Sequence, residues 1–78
     1  MIHIGEIIQN TMNEQGRRAS WLAQELSYER SNVYRIFKSS SIDTALLFRI
    51  SIILNTDFFS YYSHALKEEF VAKQATDY

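Results

Sequence analysis

The sequence has no cysteine, no proline and only two glycines in 78 residues. Without cysteine there is no disulfide framework and no thiolate metal site. A domain this small must then be held by packing or by association. So few prolines and glycines argue against the many tight turns of a β-sandwich or barrel. Long apolar runs are absent too: the longest strongly apolar stretch, Ile50–Leu54, is far too short to cross a bilayer, so no membrane partner is expected. The opening Met1-Ile2-His3-Ile4-Gly5-Glu6 has no basic start followed by an apolar run. No signal peptide is expected from it, and a cytoplasmic location is.

What is present is the composition of one globular domain, with 46% apolar residues and a large aromatic content of five Tyr, five Phe and one Trp. The net charge of −1 does not advertise an anionic partner, but its distribution is uneven. Between positions 17 and 49 the cations Arg17, Arg18, Arg30, Arg35, Lys38 and Arg49 outnumber the acids Glu25, Glu29 and Asp43. Outside that stretch acids dominate. A near-neutral protein can present a basic face in this way.

Apolar periodicity predicts an all-α chain, a compact bundle of about five short helices. Ile4, Ile7, Ile8, Thr11 and Met12 mark a first helix ending near Gln15, with Gly16 suited to the left-handed residue that closes it. Trp21, Leu22, Ala23 and Leu26 mark a second, capped either by Arg18 or, in a shorter version, by Ser20. After Ser27-Tyr28-Glu29, the residues Val33, Ile36 and Phe37 give a third helix a narrow apolar face and a wide polar one. Asp43 is a good cap for a fourth helix carrying Leu46, Leu47, Ile50, Ile53 and Leu54. Asn55 can close that helix. Asp57 can cap a short fifth one through Phe58, Phe59, Tyr61 and Tyr62. Leu66, Phe70 and Val71 give a weak helical signal beyond it. The chain therefore divides into a domain over 1–62 and a helical extension or flexible tail over 63–78.

The stretch from Trp21 to Phe37 is the informative one. Leu22, Ala23, Leu26, Val33 and Ile36 stand at the spacings of two helices joined by a short turn. This pattern resembles the helix-turn-helix of phage repressor and Cro proteins and of the related XRE-type bacterial transcriptional regulators. The likeness covers roughly residues 4–62. It implies a lambda-repressor-like fold and sequence-specific binding of double-stranded DNA, with a recognition helix from about Arg30 to Phe37 in the major groove. It also implies that Arg30, Ser31, Asn32, Tyr34 and Arg35 meet bases, and that Arg18, Lys38 and Ser39 meet phosphates. The side-chain chemistry agrees, since Arg matches guanine O6 and N7 and Asn matches adenine N6 and N7. Glu29 departs from the Ser or Thr that commonly opens this helix, Ser27 stands where the turn usually has Gly, and Ile42 replaces a common Pro. Where the family often pairs an Arg with a Glu, this chain has Met12 and Phe37, a pair suited to sulfur–aromatic contact.

Nothing in the sequence points to catalysis. No nucleophile–base pair, carboxylate dyad or phosphate-cradling glycine loop stands out, and His3 and His64 lie far apart without neighbouring ligands, so neither metal nor cofactor is expected. The aromatic run has more apolar surface than so short a helix can bury, which predicts a homodimer formed through Phe58–Val71. The alternative function is a protein-interaction module, adapter-like or antitoxin-like, built on the same fold and supported by the charge of −1 and the acidic tail.

Overall fold

The computed structural model describes residues 1–76 and is all-helical: α1 (Ile4–Glu14), α2 (Ala19–Leu26), α3 (Arg30–Lys38), α4 (Thr44–Ile53) and α5 (Phe59–Thr76). The first helix begins where the His3 Nδ1 accepts the Glu6 amide at 3.1 Å. Ile4, Ile8 and Met12, one turn apart, form its buried line. Gly16 ends it in the left-handed conformation, φ +70°, and the Arg17 amide reaches back to the Met12 carbonyl at 2.8 Å.

Arg18 takes the capping position of α2 without a side-chain hydrogen bond, so the longer of the two starts is the one formed. Leu22, Ala23 and Leu26 of α2 and Val33, Ile36 and Phe37 of α3 are buried against each other, and α3 also packs against α1. Asp43 caps α4, its Oδ1 accepting the Ala45 amide at 2.6 Å. From α4, Leu47 and Ile50 complete the core, followed by Leu54. An Arg49 guanidinium nitrogen lies 3.4 Å from the Leu26 carbonyl and donates to it, tying α4 to the end of α2. Among the described residues no polar or charged side chain is buried.

Ser27 closes α2 in the left-handed region at φ 58°, with the Tyr28 amide bonded to the Ala23 carbonyl at 2.8 Å. A side chain in that region costs about 1–2 kcal/mol, and the larger unfolded-state entropy of glycine takes back about 0.5–1. Ser27→Gly is therefore expected to stabilise the domain by about 0.5 kcal/mol. A higher urea midpoint at unchanged slope would show it; a lower midpoint would mean that the hydroxyl contributes more than the backbone costs.

The fifth helix departs from the short element that the sequence predicts. The Asp57 Oδ1 accepts the Phe59 amide at 3.1 Å, and the helix then continues for 18 residues without a break at Tyr62. Phe59 and Tyr62 pack on the core, whereas positions 66 to 74 are all exposed. The radius of gyration, 14.8 Å, exceeds the roughly 11–12 Å of a sphere-like chain of this length. The long dimension of 52 Å against 20 Å across records the projecting helix. No described helix is long and apolar enough to cross a membrane.

One expectation for the aromatic run needs correction. Phe58 is wholly buried, the largest such side chain in the core, and so cannot belong to a surface that meets a second copy. Asn55, left-handed at φ 50°, turns the chain so that Phe58 enters the core just before α5 begins.

Candidate nucleic-acid interface

Three residues separate α2 from α3, and α3 packs on both α1 and α2, so that it buries one face and presents the other. Its buried line is Val33, Ile36 and Phe37. The opposite side carries Arg30, Ser31, Tyr34, Arg35 and Lys38, all exposed. No acid occurs within α3 itself. Glu29 precedes it at the capping position and makes no side-chain bond there. Asn32 stands apart from the exposed group, half-buried on the flank of the helix. Tyr34 is half exposed, and its ring meets Phe37 edge-on with centroids 6.0 Å apart, which restricts its freedom over the surface.

The predicted phosphate contacts fare differently. Both Lys38, the last residue of α3, and Arg18, which lines a cleft together with Arg30, are exposed. Ser39 is half-buried and structurally engaged. Its hydroxyl donates to the Arg35 carbonyl at 2.8 Å, and its carbonyl accepts the Gly5 amide at 3.0 Å. In this conformation the hydroxyl proton of Ser39 is used inside the helix and is not offered to a phosphate.

A cleft of about 380 Å³ opens beside α3, between the end of α1 and the start of α2. Arg17, Arg18 and Arg30 line it together with Gln9, Asn13, Ser20 and Tyr34, and no acid does. Met12 and Phe37, the two positions where the resembled family often has an ion pair, form its apolar lining and are both buried. Arg17 stacks on Trp21 with its guanidinium carbon 4.2 Å from the ring, a contact that holds the cation at the rim and contributes about 0.5–1 kcal/mol. Gln9, Asn13 and Arg17 do not figure among the sequence-predicted contacts. Their one signal is spacing, since Gln9 and Asn13 lie one turn apart on the polar side of α1.

The arrangement offers cationic and amide donors over a convex helix and an adjoining cleft, with no group of three or more His, Cys, Asp or Glu placed to hold a metal among the described residues. No family model, no curated protein and no solved structure matches the chain.

Proposed function

We propose that the chain is a sequence-specific double-stranded DNA-binding regulator of the phage-repressor and Cro-like kind, with α3 as its recognition helix. The carrying observation is the division of α3 into a buried apolar line and an acid-free outer face with two arginines and a lysine. A helix enters the major groove of B-form DNA when one side anchors it and the other offers hydrogen-bonding side chains. Arg30, Ser31, Tyr34 and Arg35 are the base-reading candidates, with Asn32 reaching from the flank. Arg17, Arg18 and Lys38, all exposed, are the candidates for phosphate contact. One such helix spans only a few base pairs. Reading a site in a genome then calls for two copies on half-sites about one helical turn apart.

Binding to an unrelated duplex at two salt concentrations tests the electrostatic part, because phosphate contact makes affinity fall with salt. A sequence selected from a random duplex pool tests the rest. On that sequence Arg30→Ala or Asn32→Ala is expected to weaken binding by about 1–3 kcal/mol while sparing the weak binding to unrelated duplex. Lys38→Ala should weaken both alike and flatten the salt slope by about one unit. Affinity for duplex that is absent, or indifferent to salt, would turn the function towards protein recognition by the same fold.

A further inference from the structure

Beyond Tyr62 the apolar stripe of α5 is left open by the described residues. Phe59, Tyr62, Leu66 and Phe70 follow at three- and four-residue steps, the spacing of one helix face. The first two pack on the core, but Leu66 and Phe70 are 53% and 57% exposed. The helix past Tyr62 is roughly 20 Å long at its 1.5 Å rise, a length that is marginal for an isolated helix in water. Its neighbours Glu68 and Glu69 turn towards Met1 and Ile2 of the same chain, with which they line a groove.

A second bare surface lies on α4. Phe48 and Ile52, one turn apart, are 59% and 65% exposed. With Phe59 they line a shallow depression rimmed by Ser51, Asn55, Thr56 and Asp57. Phe59 therefore belongs to both surfaces. They cannot cover each other within one chain, because the straight helix that starts at the depression carries Phe70 roughly 16 Å away from it.

We propose that the two surfaces meet between two copies of the chain. Leu66 and Phe70 of one protomer lie on the Phe48–Ile52 depression of its partner, and the contact is repeated about a two-fold axis. Area favours the reciprocal form. One strip about 20 Å by 10 Å, counted on both partners, removes on the order of 400 Å², within the range of chance contacts. Made twice, it removes on the order of 800 Å², the size of a weak, transient interface, below the roughly 1,200 Å² at which stable ones begin. Charge agrees on one flank: Lys67 follows Leu66 on the tail, whereas the depression is rimmed by Asp57 and lined by no cation. This sharpens the two-copy element of the proposed function, and its test uses no DNA, so either can fail without the other.

Sedimentation equilibrium of the full chain at roughly 100 µM, well above a micromolar dissociation constant, is expected to give twice the 9.2 kDa chain mass. Phe70→Glu and Ile52→Lys each replace an exposed side chain, and circular dichroism checks that helicity is kept. Each alone is expected to weaken pairing roughly tenfold to a hundredfold. An equimolar mixture of the two should recover it, since one contact is then unaltered and the other opposes unlike charges. A wild-type monomer overturns the proposal. So does a dimer that Phe70→Glu breaks and Ile52→Lys leaves intact, which would pair tail with tail. A dimer indifferent to both substitutions places the interface elsewhere and overturns it as well.

Discussion

Phe58→Ala is expected to lower the stability of the domain by about 3–5 kcal/mol, the usual loss for truncating a buried Phe. Domains of this size have roughly 4–12 kcal/mol in all, so the variant should be partly unfolded at low denaturant. The ring is fully buried at the junction between the turn after α4 and the first residue of α5. Its removal opens a cavity that the neighbours cannot close without moving the Asn55 turn. The same turn is tied to α1, because the Gln15 side-chain amide donates to the Leu54 carbonyl at 2.9 Å. Urea unfolding followed by circular dichroism measures the loss. Phe59→Ala, at a half-buried position, should cost clearly less. Equal effects from the two would mean that neither ring is a specific anchor.

Gly5→Ala is the second substitution expected to be severe, although the same exchange on an exposed helix usually stabilises by about 1 kcal/mol. Gly5 is buried in the first turn of α1, where α1 crosses the end of α3. A β-carbon there would fall on the backbone carbonyls of Ile36 and Phe37. The obstacle is main chain, so it cannot rotate away. The crossing is also held by hydrogen bonds from the Ile4 amide to the Ser40 carbonyl at 3.2 Å and from the Gly5 amide to the Ser39 carbonyl at 3.0 Å. Overpacking of this kind costs about 1–3 kcal/mol, and the upper end fits an immovable obstacle. After the gain in helix propensity the net loss should be about 2 kcal/mol. An unchanged or raised unfolding midpoint would show that α1 can slide along α3.

These two residues mark the boundary of what the sequence makes legible. Local signals were sufficient for the helices: Ile4, Ile8 and Met12 announce α1, Asp43 caps α4, and Gly16, Ser27 and Asn55 take left-handed positions where helices close. The opposition on α3 between Val33 and Ile36 on one side and Arg30 and Arg35 on the other is likewise a matter of period. Gly5 carries no such signal, because its need for hydrogen in place of a side chain arises only when α3 arrives from more than thirty positions away. The aromatic run is ambiguous for a related reason. Which of the adjacent Phe58 and Phe59 enters the core depends on how Asn55 turns the chain. The continuation of α5 past Tyr62 is one of the two readings that the sequence leaves open for 63–78, because Leu66, Phe70 and Val71 signal a helix only weakly. Ser39 looked like a surface hydroxyl in sequence, and its capture by the Arg35 carbonyl depends on the helix that ends beside it.

The stacked pair at the rim of the cleft makes the chain readable by light. Trp21 is the one tryptophan in the sequence, half-buried, with the Arg17 guanidinium over its ring. Indole emission follows the charge and polarity of its immediate surroundings. The same arginine also lines the basic cleft beside α3, so an anion drawing it away would change the environment of that single fluorophore. Occupancy of this face can thus be followed in the unlabelled protein, while pairing of two copies is read through mass.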